Sequence, residues 1–109
     1  MVGNQLHPDF YYNRFICERE VRLYKLVLED IEKAISLNPY EPIYLCEKGS
    51  LELRLRMADQ AIASANKALI IDSSFADAYA ILGAAQCVKG NKHEGLLNLE
   101  RAKGLGYAN

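Results

Sequence analysis

The chain has 109 residues, which suffice for one domain, and half of them are apolar while a quarter are charged. Its formal net charge of −1 provides no overall field that would attract nucleic acid or an anionic membrane surface. Residues 1–7 lack the basic and apolar regions of a signal peptide, and no run of about 18 apolar residues occurs. The sequence therefore predicts a cytoplasmic protein that binds neither nucleic acid nor membranes.

An internal repeat organises the chain. When the chain is shifted so that Gly49 aligns with Gly83, Ala34 aligns with Ala68 and Ala68 with Ala102. A period of this length is typical of a solenoid, in which each unit buries its apolar face only by stacking on its neighbours. We predict a single domain with a leader over residues 1–7, a divergent first unit over 8–41, a second unit over 42–75 and a third over 76–109.

Each unit contains two segments in which apolar residues recur at spacings of three and four, as on one face of an α-helix. No strand-like alternation competes with this pattern. The predicted fold is all-α, with six helices over residues 8–21, 24–37, 42–55, 58–71, 76–89 and 92–105.

Turn and capping residues separate the predicted helices. Pro42 suits the first turn of a helix, where its missing N–H loses no partner. Ser74 and Asp77 form a capping arrangement for the fifth helix. Gly90 can adopt the left-handed conformation that ends a helix.

The three units resemble the tetratricopeptide repeat, a helix-turn-helix unit of about 34 residues with a W-x2-L-G-x2-Y stretch, then A-x3-F, then Pro. Residues 79–83 match the first stretch, with Gly95 and Leu99 in the Ala and Phe places, and residues 45–49 match it in the second unit. The resemblance covers residues 8–109 and implies a right-handed α-solenoid that acts as a protein-interaction scaffold.

Several positions depart from the family pattern. Phe15 replaces the glycine that admits close helix contact, and Arg22 and Arg56 stand where the turn usually has Gly. The usual Tyr site holds Glu18, Glu52 and Gln86. Arg14 and Lys48 each precede one of these glutamates by four positions. We therefore predict ion pairs within the first helices, either as plain helix support, with Asp30 of the second helix joining the pair, or as a buried charge relay.

No residue pattern indicates catalysis, a cofactor or a bound metal. The two histidines, His7 and His93, have no ligand at metal-site spacing apart from Glu94, which as an adjacent helical residue points about 100° away. The separations between the three cysteines, Cys17, Cys46 and Cys87, match no zinc site. We expect a non-enzymatic protein with free thiols in a reducing compartment.

In the family, partners bind along the inner surface, which the first helices of the units line. By position, this resemblance implies a groove formed by Tyr12, Asn13, Ile16, Arg19, Cys46, Glu47, Ser50, Arg54, Asp77, Ala80, Ile81, Ala84, Cys87 and Val88. Its small, apolar end could accept a leucine-like side chain or an amphipathic helix of a protein partner, or could pack against the chain's own helices. We expect Ile81→Glu to abolish binding there without disturbing the fold.

One partner class is predicted to be excluded. Family members that clamp the C-terminal carboxylate of heat-shock chaperones use Lys, Asn and Arg side chains, and the matching positions here hold Tyr12, Ile16, Glu47, Asp77 and Ile81. The carboxylates of Glu47 and Asp77 would repel such a terminus.

The last predicted helix should expose an apolar stripe that includes Leu96, Leu99 and Leu105, because no polar capping helix follows it. A solenoid end needs such a cap for solubility. The alternative function is therefore self-assembly, with a homodimer formed through the C-terminal end, or service as a piece of a longer array.

Overall fold

The structure, a computed structural model, describes the backbone of residues 8–107 and the side chains of residues 18–107. Within that backbone range the chain forms helices and turns without any strand. The five helices found there are α1 (Pro8–Leu37), α2 (Pro42–Arg54), α3 (Ala58–Ile71), α4 (Ala76–Val88) and α5 (Lys92–Gly104). The all-α solenoid predicted from the repeat is confirmed, whereas the prediction of six helices is wrong by one.

Helices α2 and α3 pack as one hairpin and α4 and α5 as a second, while α3 also packs against α4. The turns within the two hairpins share one geometry, because Arg56 (φ 63°) and Gly90 (φ 93°) occupy equivalent positions of successive units and both adopt a left-handed conformation. A left-handed conformation costs a residue with a Cβ atom roughly 1–2 kcal/mol. Arg56 therefore occupies a turn that Gly90 forms without strain.

Small residues bring the helices close together. Ala61, Ala65 and Ala68 on α3 have no exposed surface. In the second hairpin, a Cβ atom placed on Gly83 would lie 2.6 Å from the carbonyl oxygen of Gly95. The backbones of α4 and α5 thus touch at a point where any larger residue would push the helices apart.

The predicted first hairpin is absent because residues 8–37 form one continuous helix. No Gly, Pro, Asn, Asp or Ser interrupts residues 20–25, so the local sequence offers no turn signal. Packing also disfavours a fold-back. Gly49 faces Ala61 and Gly83 faces Gly95, but the equivalent pair in the first unit would be Phe15 and Val27.

Electrostatics gives a second reason for the continuous helix. In α2 and α3, Ser64 and Glu52 form a buried hydrogen bond of 2.6 Å. The equivalent residues of the first unit are Asp30 and Glu18, so folding back would bring two carboxylates together, which is unfavourable for like charges. The molecule is consequently elongated, with principal extents of 57 × 35 × 23 Å.

The side-chain contacts correct the predicted ion pairs. Lys48 does not pair with Glu52, because its ammonium lies 3.6 Å from the carboxylate of Glu32 on α1. Glu52 points into the hairpin and accepts a hydrogen bond from Ser64 instead. The corresponding pair of Arg14 with Glu18 lies outside the described side chains, because Arg14 is not among them.

Helix starts agree only in part with the expected caps. Helix α2 begins at Pro42 as predicted, with Glu41 as its cap. Helix α4, however, begins after Phe75, which supplies no side-chain cap. Ser74 precedes this cap position by one residue, and its hydroxyl and backbone N–H both donate to the Asp72 carboxylate. None of the helices within residues 8–107 is both long and apolar enough to cross a bilayer.

Candidate functional site

A groove of about 450 Å³ runs along one face of the helical stack. Its walls come from the second half of α1, from α2 and from α4. The residues that line it are Tyr24, Val27, Ile31, Ile43, Cys46, Glu47, Ser50, Leu51, Arg54, Asp77, Ile81 and Tyr107. Its volume falls within the range of roughly 300–1,000 Å³ that is typical of ligand pockets in proteins.

The apolar wall of the groove is accessible. Val27 of α1 has 45% of its surface exposed and Ile43 of α2 has 49%. At the register position of Val27, the next unit has Ala61, which is completely buried within its hairpin. Because α1 does not fold back on itself, the surface that would pack inside a first hairpin forms the wall of the groove instead.

Charged groups occupy two parts of the groove. Arg54 donates a hydrogen bond of 3.3 Å to the Tyr24 hydroxyl, and its guanidinium lies 5.7 Å from the centre of the Tyr24 ring. These contacts join α2 to α1 and fix the direction of the guanidinium. Glu47 and Asp77 contribute exposed carboxylates from α2 and α4.

Cys46 lies in the groove wall with only 5% of its surface exposed. Its burial, with a smaller contribution from the negative charge of Asp77, raises the pKa of the thiol from 9.0 to about 12. A thiol with such a pKa stays protonated at neutral pH and is a poor nucleophile and metal ligand. Cys46 therefore contributes a neutral, apolar surface to the groove wall at neutral pH.

The structure brings some of the predicted groove residues together. Those that line the groove are Cys46, Glu47, Ser50, Arg54, Asp77 and Ile81. The remaining residues of α4 have other surroundings: Ala80 is buried, Ala84 is half-buried, and Val88 is 72% exposed at the helix end, outside the groove lining. Cys87 packs inside its hairpin, where a Cβ atom on Gly95 would lie 2.5 Å from its sulfur.

The predicted residues on α1 are placed differently. Arg19 is exposed and does not belong to the groove lining. Tyr12, Asn13 and Ile16 lie outside the described side chains.

Sequence reasoning missed the contribution of α1. It placed Tyr24, Val27 and Ile31 in a helix packed within a first hairpin, away from the groove. The bulky pair Phe15 and Val27, which stands where the second unit has Gly49 and Ala61, disfavours that hairpin. This pair is the sequence signal that could have placed the three residues in the groove. Ile81 is also more buried than expected, with 7% exposure inside the core cluster, so Ile81→Glu would disturb the fold as well as the groove.

Among the described residues, no three His, Cys, Asp or Glu side chains form a group that could hold a metal ion. Cys46 and Cys87 are both free thiols.

No protein-family model matches the chain. Among curated proteins, it is 32% identical over 80 residues to the TPR repeat-containing thioredoxin TDX of Arabidopsis thaliana, covering 73% of this chain and 21% of that protein. It is 32% identical over 73 residues to the small glutamine-rich tetratricopeptide repeat-containing protein 2 of Saccharomyces cerevisiae, covering 67% and 21% respectively. The chain thus spans about a fifth of the length of these relatives.

Solved structures show the same fold at lower sequence identity. The Arabidopsis OM64 TPR domain superposes with a TM-score of 0.75 and 24% identity, over 81% of this chain and 73% of that one. The first TPR of Spaghetti (RPAP3), bound to the HSP90 peptide SRMEEVD, superposes with a TM-score of 0.74 and 22% identity, over 87% and 80%. Together with the internal repeat and the stacked hairpins, these similarities show that the chain belongs to the tetratricopeptide-repeat family.

Proposed function

We propose that the chain is a non-catalytic interaction scaffold that binds a peptide or helical segment of another protein in the groove between α1, α2 and α4. The observation that carries this proposal is the open apolar wall, in which Val27 and Ile43 are about half exposed beside the buried core. An amphipathic helix could bury this wall with side chains spaced three and four residues apart. The superposed Spaghetti domain binds a peptide, which supports a peptide-binding role for this fold.

The charges of the groove favour a basic or neutral segment. Glu47 and Asp77 both present exposed carboxylates, and Arg54 is already engaged with Tyr24. A lysine or arginine beside the two carboxylates would gain a complementary charge, whereas a C-terminal carboxylate would be repelled. We therefore propose that the groove does not bind the acidic carboxyl terminus of chaperones.

The proposal can be tested with two synthetic amphipathic helical peptides that share one leucine face, flanked by lysines in the first and by glutamates in the second. We expect fluorescence anisotropy to show tighter binding of the lysine peptide. Val27→Asp and Ile43→Asp should each weaken its binding roughly tenfold, which corresponds to about 1.4 kcal/mol. Val88→Asp is the matched control, because Val88 is exposed outside the groove lining.

Equal affinity of the wild type and the two groove variants would show that the peptide binds elsewhere. A peptide with the sequence SRMEEVD, which the Spaghetti domain binds, provides a further comparison. We expect no saturable binding of this peptide, and binding that is lost in the Val27→Asp variant would contradict the charge argument.

A second candidate function is self-assembly through the C-terminal end. Leu96 is 56% exposed and Leu105 is 46% exposed, while Leu99 is half-buried. Two copies could cover these side chains, as could further units of a longer array. Sedimentation velocity at increasing concentration would reveal the association, and Leu96→Lys should abolish it. A monomer at every concentration would contradict self-assembly.

We further propose a reducing compartment, such as the cytoplasm, as the location of the protein. The free thiols of Cys46 and Cys87 support this proposal. Fractionation of cells with an antibody against the chain would test it, and recovery of the protein only from an oxidising compartment would contradict it.

A further inference from the structure

A second groove, of about 310 Å³, lies on another face of α2. It is formed where α1 ends, α2 begins and α3 ends. The residues that line it are Ile35, Pro39, Tyr40, Leu45, Lys48, Lys67, Ile70 and Ile71. It has no lining residue in common with the first groove. Tyr40 (79% exposed) and Ile70 (84% exposed) lie at its rim, so it opens to the surface.

The junction between the second and third units has an aromatic ring in the place that corresponds to this groove. Tyr79 occupies the position of Leu45 in the following unit, and its hydroxyl donates a hydrogen bond of 3.0 Å to the carbonyl oxygen of Ser73. The guanidinium of Arg101 lies 6.0 Å from the centre of the Tyr79 ring. The tyrosine thus bridges two units, with an acceptor for its hydroxyl and a cation near its ring.

The junction between the first and second units has residues at the same positions as these two partners, but it lacks the tyrosine ring. One repeat earlier, Pro39 occupies the position of Ser73 and Lys67 the position of Arg101, and both line the second groove. Leu45 stands in place of Tyr79 and is buried, and a leucine lacks the outer ring carbons and the hydroxyl of a tyrosine. The groove is therefore lined by Pro39, by Lys67 and by apolar side chains, at the positions whose counterparts surround Tyr79 in the next unit.

We propose that the second groove binds a tyrosine side chain of a partner polypeptide. The ring would lie on Leu45 and Ile71, its hydroxyl would donate to the Pro39 carbonyl oxygen, and the Lys67 ammonium would lie near the ring. A volume of about 310 Å³ is at the small end of the range of ligand pockets, so it suits one side chain better than an extended ligand.

Charge favours an aromatic occupant over an acidic one. Lys48 is already paired with Glu32 at 3.6 Å, which leaves Lys67 as the cation that faces an occupant. The other lining side chains are apolar except for the Tyr40 hydroxyl. A cation beside an apolar floor is the environment in which a ring face is attracted more than an aliphatic side chain of similar size.

The direct probe is N-acetyl-L-tyrosinamide, added to the full chain labelled with ¹⁵N. We expect saturable chemical-shift changes at the backbone amides of Leu45, Lys67 and Ile71. The phenylalanine analogue, which lacks the hydroxyl, should bind several-fold more weakly, and the leucine analogue more weakly still. Lys67→Met keeps most of the aliphatic stem and should also weaken the tyrosine probe several-fold.

The decisive variant is Leu45→Tyr, which supplies the ring from within the chain as Tyr79 does in the next unit. We expect it to abolish the shift changes at Lys67 and Ile71. Val27→Asp lies in the other groove and is the control that should bind the tyrosine probe as the wild type does. The two variants test the two grooves separately, because Leu45→Tyr alters the second groove and Val27→Asp alters the first.

Several outcomes would overturn the inference. Shift changes that do not saturate up to the solubility limit of the probe would show that the groove is not a binding site. Closure of the groove by the side chain of the chain's own Tyr40 would show the same. Undiminished binding by a folded Leu45→Tyr variant would place the probe elsewhere. If that variant fails to fold, equal affinities for the tyrosine and leucine analogues, or an unchanged affinity in Lys67→Met, would be sufficient to reject it.

Discussion

Ser64 donates a hydrogen bond from its hydroxyl to the carboxylate of Glu52 across 2.6 Å, and both side chains are buried between α2 and α3. The same link recurs one unit later, where the Asn98 amide donates to Gln86 across 2.6 Å. Each bond joins the two helices of a hairpin at the same level. Both hairpins therefore contain a polar clasp within their apolar interior, although the chemical groups that form it differ.

The first prediction concerns this clasp. Ser64→Ala should lower the free energy of unfolding by about 1–3 kcal/mol, because it leaves a buried carboxylate without its donor. Urea denaturation followed by circular dichroism measures the change. Glu52→Gln, which copies Gln86, should cost less, and Ser73→Ala at an exposed position should have no effect. A loss in Ser64→Ala no larger than in Ser73→Ala would contradict the role of the clasp.

The second prediction concerns the contact of α4 with α5. Gly83→Ala should destabilise the protein by about 1–3 kcal/mol, because its Cβ atom would meet the backbone of Gly95 at 2.6 Å and force the helices apart. Gly104→Ala is the matched control, since a Cβ atom there has no neighbour within 4 Å. It should be neutral or stabilising, because alanine favours helix. Equal melting temperatures of the two variants would refute the close contact.

The third prediction concerns pH. Burial raises the pKa of Cys46 to about 12 from 9.0, so above pH 9 the unfolded chain releases a proton that the folded chain retains. The contribution of the neutral thiol to stability is therefore complete below pH 9 and is lost as the pH rises from 9 towards 12. The wild type should lose about 1.4 kcal/mol per pH unit in this window relative to Cys46→Ala.

Urea midpoints of the wild type and Cys46→Ala between pH 8 and pH 10.5 test the difference in slope. Cys87→Ala serves as the control, because it removes a thiol while keeping Cys46, and it should retain the loss of stability that Cys46 causes above pH 9. Parallel curves for the wild type and Cys46→Ala would show that Cys46 ionises as readily in the folded chain as in the unfolded one.

The fourth prediction concerns the missing hairpin. The triple variant Phe15→Gly, Val27→Ala and Asp30→Ser gives the first unit the residues Gly49, Ala61 and Ser64 of the second, and should allow α1 to fold back. The radius of gyration of 17.0 Å should then fall towards about 13 Å, the value for a compact domain of this length. Small-angle scattering of the monomer measures this change.

Asp30→Ser alone is the control for that experiment, because it removes the like charge but keeps the bulky pair. It should leave the radius of gyration near that of the wild type. If the triple variant remains equally extended, steric and charge conflicts are not what keeps α1 straight.

Regular units were easier to predict than the irregular one. The stretch around Gly83 and the small residues Ala61 and Ala68 predicted the hairpins correctly, since close helix contact depends on local residue size. The first unit differs because the outcome depends on pairs of residues several helical turns apart, such as Phe15 with Val27. A pattern read unit by unit does not compare such pairs.

The same contrast between local and distant residue pairs explains which residues of the candidate site could be predicted from the sequence. Glu47, Ser50 and Arg54 lie in the groove because α2 has the expected helical register. Tyr24 and Val27 were missed because their exposure depends on an absent hairpin and not on their own identity. The empty place beside Leu45 becomes visible only when the two junctions between units are compared in three dimensions.

The continuous α1 has a mechanical consequence. With 30 residues against the 13 of α2, it is longer by about 25 Å at 1.5 Å per residue. The helical geometry would set the distance and the angular position, relative to Val27, of any group held at the N-terminal end of α1. Each residue inserted into α1 would rotate that object by about 100°, so its orientation could be tuned without altering the groove.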